Sequence, residues 1–421
     1  MDGSTNKFSN ISALITLSIF LAGCSSEKSK EDVFPQASSE CQDLAVQDRY
    51  IAQWENGDIT YVSSSSREKL EAEFVEPNLQ ALKKVEHDFK LERQTVKSGS
   101  IVESEFGLID NWGVQVTEAP NAWQQGQRGA GIVVGVIDSG VDTTHSSLAN
   151  NIYRNPGETG LDTRGFNKSS NGVDDDNNGF IDDYSGWDFV MESADVYDDD
   201  SHGTHVSGTI AASHNDTIHK TGYVQGIAPS AKIMPLDFIT GTSGYVSDAI
   251  EAIQYASMMS VNIINASWGG PACSTILEET IGGLGQRNIL FVAASGNDGV
   301  NIDQSKRYPA AYDFAHQITV GMIGTTLMMA NRSNYGDKGV YIFAPGTDIY
   351  STVPGNGVAA YSGTSMATPA VVGAAALIWG AQPSLTATEV KSILGSSTDF
   401  SSSYRNKTRG RVNIRKALSL L

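Results

Sequence analysis

Four continuous apolar runs beyond residue 130 predict the central strands of a parallel sheet. Each run is about seven residues long and rich in β-branched residues, as expected of strands that are covered on both faces. The runs span residues 132–138, 261–268, 289–295 and 318–324. Helical stretches such as 246–258 and 275–287 lie between them. This alternation predicts an α/β fold, a doubly wound and mostly parallel sheet with helices on both faces.

The chain before this domain has a different pattern. Residues 49–62 are two β-prone runs around an Asn-Gly pair, which predicts a hairpin. A helix is expected from Ser65 to about Pro77, and residues 78–90 have a helical pattern as well. Together these elements predict a small α+β module, too small to be very stable alone.

The first residues have the features of an export signal. Residues 11–23 are thirteen uncharged, mostly apolar residues after Lys7, fewer than the ~20 that a membrane-spanning helix needs. The Leu-Ala-Gly-Cys sequence ending at Cys24 is similar to a bacterial lipoprotein signal, which implies a lipidated Cys24 as the new N-terminus. A plain cleaved signal and a buried helix are the alternatives. The predicted organisation is a signal over residues 1–23, a polar tether over 24–45, the small module over 46–105 and the large domain over 106–421.

Composition and charge exclude several functions. With 40% hydrophobic and 18% charged residues, the 421-residue chain has the composition of a soluble globular protein. Its formal charge of −19 disfavours binding to nucleic acid or anionic lipid through a basic surface. Eleven of the acidic residues lie within residues 174–200, which contain no Lys or Arg. The three cysteines, Cys24, Cys41 and Cys273, are too few for a disulfide framework, and no C-x-x-C pair is present for zinc or redox chemistry.

Polar residues follow three of the predicted strands. Asp138 ends the first run, Ser267 ends the second, and Asn297 follows the third. Ligands gather at this carboxyl edge of parallel sheets. A single Asp after a strand is more often a turn residue, so a functional interpretation depends on the combination with other clusters.

A second polar cluster opens a helix at His202. Asp200 or Ser201 is the expected cap of this helix. His202 and His205 are spaced i, i+3 and could share a zinc ion, but the H-E-x-x-H motif is absent from the sequence. We therefore interpret His205 as a packed residue and His202 as a residue at the exposed mouth of the helix.

The third cluster surrounds Ser365. This serine begins a helix that is apolar all round, and therefore buried, with Pro369 near its first turn. Backbone N–H groups at a helix start favour a developing negative charge. A serine nucleophile also needs a base and an orienting carboxylate, which His202 and Asp138 can supply. The order Asp, His, Ser is that of subtilisin and differs from the Ser, acid, His order of α/β-hydrolases, and G-x-S-x-G does not occur.

These clusters resemble the signatures of subtilisin-like serine proteases over roughly residues 112–420. The matching segments are VIDSGVD (136–142), HGTHVSG (202–208), QGIAPSAKI (225–233), NASWGG (265–270), AASGND (293–298) and the glycine- and alanine-rich stretch 344–377. The resemblance implies an endopeptidase that hydrolyses peptide bonds through an acyl-enzyme, without a prosthetic group. Two other functions stay open: a catalytically silent surface binding module, and a serine esterase on the same scaffold.

The resemblance also implies roles for individual residues. Asp138 would orient His202, His202 would act as general base and acid, and Ser365 would be the nucleophile. Asn297 would donate to the oxyanion. The edge strand Ser267-Trp268-Gly269 would pair with the substrate backbone.

The small module resembles, weakly, the propeptide that these proteases carry as an intramolecular chaperone and inhibitor. The resemblance places the maturation cut near residues 95–111, and an unrelated N-terminal addition is the alternative. The implied partners are protein or peptide substrates and the chain's own propeptide, with membrane contact only through a lipid on Cys24. We expect an exported monomer in the cell envelope or, after maturation, outside the cell. Ser25 after Cys24 favours the outer membrane if the source is Gram-negative.

The acidic stretch departs from the family pattern. It separates Asp138 and His202 by 64 positions, about twice the usual spacing. Residues 174–183 place oxygen ligands at alternate positions and Gly at the sixth, like the start of an EF-hand loop, but the Glu at the twelfth position is missing. We expect a calcium loop with a different closure, a solvated acidic loop being the alternative. The expected ligands are Asp174, Asp176, Asn178, Phe180, Asp182 and Asp183.

Overall fold

A computed structural model describes residues 28–34, 44–97, 108–109, 111–214, 223–405 and 409–421. The predicted signal segment 11–23 and its Cys24 lie outside these residues.

The centre of the molecule is a seven-stranded sheet in which every neighbouring pair is parallel. Across the sheet, the strands are Ile342–Pro345, Gln317–Ile323, Leu290–Ala294, Ile263–Ala266, Val133–Asp138, Lys232–Asp237 and Trp187–Asp188. The four predicted apolar runs all form strands of this sheet, which confirms the predicted fold class.

Helices cover both faces of the sheet. Because side chains alternate along a strand, Val136 and Ile137 enter different apolar clusters on the two faces. The α-helices of the large domain are Trp112–Val116, Ala119–Gln124, His202–Ala211, Val246–Met258, Thr275–Gly283, Thr364–Ala381, Ala387–Ser396 and Ile414–Leu418. Short 3₁₀ turns are Ala149–Asn151, Lys168–Ser170 and Leu284–Arg287.

The helix Thr364–Ala381 lies in the core. Within the described parts of the chain it is the one helix long and apolar enough to cross a membrane, and 89% of its apolar window is buried inside the protein. It packs in the larger apolar cluster with Val134 and Val136. The prediction of a buried helix apolar on all sides is therefore confirmed.

The N-terminal module is built on a second, antiparallel sheet. Strands Ala45–Trp54 and Ile59–Ser63 form the predicted hairpin. The predicted helix begins after Ser66, whose hydroxyl accepts from Lys69 N, and it consists of three short turns. These turns are Arg67–Leu70, the π-helical Glu71–Val75, and Glu76–Asn78, which contains Pro77.

The prediction of a helix over residues 78–90 is wrong. Residues Leu82–Arg93 form a long strand antiparallel to Ala45–Trp54. The register between the two strands shifts twice, so buried side chains such as Leu82 and Val85 are three residues apart, a spacing that also fits a helix. Pairing with the hairpin, which sequence periodicity cannot show, decides the structure.

The structure also differs in part from the polar tether predicted over residues 24–45. Residues Lys30–Val33 form a helical turn. Val33 is fully buried in a small apolar cluster with Leu70 and Val75. This stretch therefore belongs to the packed N-terminal module.

The strand Leu82–Arg93 continues beyond the module and joins the large domain. It pairs antiparallel with Ser243–Tyr245 and with Trp268–Gly269, and Ser243–Tyr245 also pairs with Ile239–Thr240. A third sheet, formed by Ile349–Val353 and Gly357–Ser362, then pairs with Val96–Lys97. The chain thus crosses the large domain where the carboxyl ends of the parallel strands meet.

Candidate active site

Asp138 and His202 form a buried pair at this edge of the sheet. Asp138 ends the strand Val133–Asp138, and His202 is the first residue of the helix His202–Ala211. His202 Nδ1 lies 2.6 Å from Asp138 Oδ1, and both residues are fully buried. Ser139 N also donates to Asp138 Oδ1, at 2.9 Å. The carboxylate therefore holds the proton on Nδ1 and leaves Nε2 as the acceptor.

Asp198 fixes the start of the helix that carries His202. Its carboxylate accepts from Ser201 N at 2.7 Å and from Thr204 N at 2.8 Å, and from Ser139 Oγ at 3.0 Å. The cap is therefore supplied by Asp198 and not by the predicted Ser201 or Asp200. Burial raises the pKa of Asp198 to about 6.

His205 is packed, as its interpretation from the sequence requires. Its Nε2 lies 2.9 Å from Ile349 O, and its ring stacks on Tyr361 with 4.4 Å between centroids. Burial lowers the pKa of His205 to about 3, so the ring is neutral at ordinary pH. An Nε2 that donates to a carbonyl cannot at the same time bind a metal.

Ser365 is the second residue of the helix Thr364–Ala381 and is fully buried. Its hydroxyl donates to Ser267 O at 2.6 Å, and its backbone N–H donates to Gln94 O at 3.2 Å. His202 Nε2 instead lies 2.6 Å from Thr95 Oγ1. The chain around residue 94 therefore covers both His202 and Ser365, and the expected exposed mouth is occupied.

Asn297 lies near the carbonyl group of Gln94. Its Oδ1 accepts from Thr364 N at 3.0 Å, which fixes the orientation of the amide. Gln94 O and Asn297 Nδ2 lie 2.4 and 3.3 Å from the point where a Cβ on residue 363 would stand. Gly363, with φ +155°, is therefore needed for the carbonyl to approach the amide groups.

Residues 90–94 lie extended in a cleft between two short strands. Gln94 N donates to Ser267 O at 3.1 Å, and Arg93 N donates to Thr242 O at 3.2 Å. One wall is the predicted strand around Trp268; the other, Ser243–Tyr245, was not found from the sequence. A three-residue strand containing a glycine has no periodicity to detect.

Two side chains of residues 90–94 lie in different surroundings, one apolar and one polar. Leu91 is fully buried in an apolar cluster with Phe238 and Trp268. Gln94 Nε2 donates to Gly269 O at 3.1 Å, at a cavity of 510 Å³ that Asp298 also lines.

Sequence comparisons agree with this geometry. The model of the subtilase family matches residues 129–414. Subtilisin NAT from Bacillus subtilis subsp. natto is 34% identical over 309 residues, which cover 73% of this chain and 70% of that protein. The chain belongs to the subtilase family. Subtilisin from Bacillus pumilus is also 34% identical over 309 residues, covering 73% of this chain and 98% of that protein.

A more distant relative extends the similarity toward the N-terminus. Subtilisin-like protease 1 from Plasmodium berghei is 31% identical over 365 residues, which cover 82% of this chain and 59% of that protein. Family membership and these relatives together identify the chain as a serine endopeptidase.

The N-terminal module of this subtilase docks on two helices through two carboxylates. Glu86 accepts from Thr275 N at 3.0 Å and Oγ1 at 2.7 Å, at the start of the helix Thr275–Gly283. Asp88 accepts from Ser247 N at 3.2 Å and Oγ at 2.8 Å, at the start of Val246–Met258. Each carboxylate supplies acceptors to N–H groups at a helix start, where the dipole favours a negative charge.

Arg49 links the module to the subtilase domain beside Asp88. Its guanidinium lies 2.6 Å from Asp88 Oδ2 and 3.0 Å from Asp248 Oδ1. It also stacks against Tyr61 and Tyr245, whose ring centroids lie 4.3 and 4.0 Å away. No pattern in the sequence indicates these contacts, because charged residues are ordinarily solvated.

The acidic stretch brings three carboxylates together. Oxygens of Glu158, Asp174 and Asp176 all lie within 4.8 Å of one another. Glu158 is fully buried, and its Oε2 has no hydrogen-bond partner among the described residues. Burial raises the pKa of Glu158, and the charge of Asp175 adds to this. A buried, unpartnered carboxylate oxygen facing two other acids fits a divalent cation.

The other predicted ligands have protein partners. Asp183 accepts from Asn178 Nδ2 at 2.8 Å and from Tyr255 OH at 2.5 Å. Asp182 accepts from a backbone N–H at 3.0 Å, and Asn178 Oδ1 accepts from Phe180 N at 2.8 Å. The structure thus groups Asp174 and Asp176 with Glu158, sixteen residues before the motif, and does not group them with Asp182 or Asp183. No local pattern pointed to Glu158.

Proposed function

We propose that this serine endopeptidase is made as a precursor that cuts itself between Gln94 and Thr95. The observation that carries the proposal is the contact of 3.2 Å between Gln94 O and Ser365 N, at the end of the extended segment in the cleft. The expected cut near residues 95–111 is thereby narrowed to one bond at the edge of that range.

The reaction we propose begins with a rotation of the Ser365 hydroxyl from Ser267 O toward His202 Nε2. Ser365 Oγ attacks the Gln94 carbonyl carbon, and His202 takes its proton while Asp138 stabilises the imidazolium. Ser365 N–H and Asn297 Nδ2 bind the oxyanion, one such donor being worth roughly 100- to 1000-fold in rate. His202 then protonates the leaving amine of Thr95, and water hydrolyses the acyl-enzyme.

The same cleft suggests how substrates are chosen. Residues 90–94 form hydrogen bonds to both walls through the backbone, which any extended peptide can reproduce. The burial of Leu91 favours substrates with an apolar residue four positions before the cut bond. The polar surroundings of Gln94 favour a polar residue directly before it.

Residues 46–94 have the contacts expected of an inhibitor and folding aid. The segment fills the cleft, while Glu86 and Asp88 satisfy N–H groups at the start of two helices of the protease. We propose that the module lowers the cost of forming these helix starts during folding.

The proposed catalytic roles are tested by Ser365→Ala and His202→Ala. Because nucleophile and base act as a unit, each change should lower turnover of a peptide substrate about a million-fold, and the double change little further. Each variant should also keep its full length and resist labelling by a fluorophosphonate. Labelling of the wild type alone distinguishes an enzyme from a silent binding module.

A comparison of casein and ester substrates on the same preparation distinguishes a protease from an esterase. Near-normal proteolysis by Ser365→Ala would contradict the proposed mechanism.

We propose calcium as a structural ion of the acidic stretch, with Glu158, Asp174 and Asp176 as its carboxylate ligands. The support is the unpartnered Oε2 of the buried Glu158 within this group. Asp182 and Asp183 leave the proposed carboxylate set because their oxygens are not among those that lie within 4.8 Å of one another. Asn178 leaves it because its Oδ1 accepts from Phe180 N, while the backbone carbonyl of Phe180 stays an expected ligand.

We also propose that the precursor is exported and held at the cell envelope by a lipid on Cys24. The support is the sequence alone. Labelling with radioactive palmitate should mark the wild-type precursor and fail in Cys24→Ser. Absence of label from both proteins would leave only a plain signal segment, and equal labelling of both would contradict lipidation at Cys24.

A further inference from the structure

Cys273 lies where the N-terminal module meets the protease domain, and it is disulfide-bonded. Its neighbour Ala272 is buried in the cluster that also holds Leu91 and Trp268. The next residue, Ser274, donates its hydroxyl to Glu86 of the module. The disulfide is therefore at the interface between the two parts of the precursor.

The sequence limits which cysteine can be the partner of Cys273. The chain contains two other cysteines, Cys24 and Cys41, both outside the described residues and both before Thr95. A disulfide within the chain therefore joins Cys273 to the N-terminal side of the proposed cut, whichever of the two is the partner.

The surroundings favour Cys41. Leu44, three residues after Cys41, lines the same cavity as Pro271 and Ala272. Three residues span at most about 11 Å, so the short separation of Cys41 from Leu44 favours Cys41 as the partner. The lipoprotein signal assigns a different modification to Cys24.

We propose that a disulfide between Cys41 and Cys273 keeps the cleaved N-terminal module covalently attached to the mature protease. The inference rests on the proposed cut between Gln94 and Thr95. Hydrolysis of that peptide bond consumes one water and leaves the S–S bond intact. Separation of the two parts then needs a second step, in which a thiol reductant supplies two electrons and two protons, yields two thiols and is itself oxidised to a disulfide.

The attachment changes both inhibition and anchoring. A tethered module stays at an effective concentration of ~1 mM, so dilution does not empty the cleft as it would with a dissociating inhibitor. The module also carries the residues that follow Cys24, so maturation alone does not free the protease from a lipid on that residue. The cut and the disulfide together make release a two-step event.

The test uses a full-length Ser365→Ala chain, which cannot cut itself, with a recognition site for an unrelated site-specific protease placed within residues 98–107. After cleavage at that site, denaturing gels without reductant should show one species of full mass. Dithiothreitol should convert it into two fragments. Two fragments without reductant would overturn the proposal.

Cysteine variants of the same chain identify the partner. Cys41→Ser and Cys273→Ser should each give two fragments without reductant, and the matched control Cys24→Ser should still give one species. Separation caused by Cys24→Ser and not by Cys41→Ser would overturn the assignment to Cys41. Mass spectrometry of peptides from the unreduced parent chain gives the linked pair directly, so a variant that fails to fold does not weaken the test.

The wild-type chain distinguishes failure of this inference from failure of the proposed maturation. A wild-type chain that stays intact even with reductant disproves self-cleavage, while the externally cut chain still reports on the disulfide. A wild-type chain that matures should gain peptidase activity on dilution only after dithiothreitol is added. Full activity on dilution without reductant contradicts the attachment.

Discussion

At the scale of single residues, the contacts of Thr95 explain how the proposed precursor can persist with Asp138, His202 and Ser365 already assembled. Thr95 Oγ1 lies 2.6 Å from His202 Nε2, the atom that accepts the Ser365 proton in the proposed mechanism. The Ser365 hydroxyl is meanwhile held by Ser267 O at 2.6 Å. Both hydrogen bonds must break before the attack, and each adds to the barrier of the first cut.

We predict that Thr95→Val matures faster than wild type. Valine keeps the shape of threonine but cannot occupy His202 Nε2, and loss of a hydrogen bond worth ~1 kcal/mol corresponds to about a fivefold faster cut. The rate is measured as the disappearance of full-length precursor on gels after synthesis. Thr95→Ser retains the hydroxyl and is the matched control; equal rates for all three chains would mean that this contact does not retard the cut.

At the scale of elements, Asp138, the proposed orienting residue, lies at the end of its strand opposite a second acid. Val133–Asp138 pairs with Lys232–Asp237 so that Asp138 stands opposite Asp237. Burial, with a contribution from Asp188, raises the pKa of Asp237 from its ordinary 3.8 to about 9. The neutral form therefore predominates in the folded protein at pH 7, which spares the strand end a further negative charge.

This raised pKa predicts a pH-dependent stability. Between about pH 4 and pH 9 the folded state holds a proton on Asp237 that the unfolded state has lost, so stability falls as pH rises through this range. Asparagine does not titrate, so the stability of Asp237→Asn should fall less with rising pH than the stability of its parent. In a Ser365→Ala background, the melting temperature of Asp237→Asn relative to its parent should increase from pH 5 to pH 8.5. The exposed Asp313→Asn is the control, and a constant difference across the range would contradict the prediction.

At the scale of the whole molecule, the N-terminal module is joined to the protease domain by more than one set of contacts. The module adds a strand to the cleft and places carboxylates at the start of two helices. The proposed disulfide to Cys273 would be a third, covalent link. The acidic stretch lies between Asp138 and His202 in sequence. A cation there would stabilise the fold without taking part in catalysis.

We predict that calcium raises the melting temperature of the Ser365→Ala chain and that a chelator lowers it. Binding to the folded state alone stabilises by ~2.7 kcal/mol at a hundred times the dissociation constant. Glu158→Gln and Asp176→Ala should each remove most of this response, because each takes a carboxylate from the group. Asp199→Asn, an exposed change in the same acidic stretch, should keep it. An unchanged melting curve in chelator would leave the solvated acidic loop as the correct interpretation.

Much of the fold followed from local pattern. The central strands and the helices between them were predictable because burial on both faces leaves continuous apolar runs, and helix Val246–Met258 was predicted with its observed bounds. The strand Leu82–Arg93 has the sequence pattern of a helix because its register shifts give buried residues a spacing of three. Its structure comes from partners far away in sequence.

The sequence by itself determined the family, the order of Asp138, His202 and Ser365, and the concentration of acid around residues 174–200, because these depend on residue types and spacing. Only the tertiary structure decided which bond lies at the nucleophile, which strand forms the second wall of the cleft, and that Glu158 joins Asp174 and Asp176. Those features arise where segments distant in sequence meet, and a contact of that kind leaves no periodicity or motif in either segment.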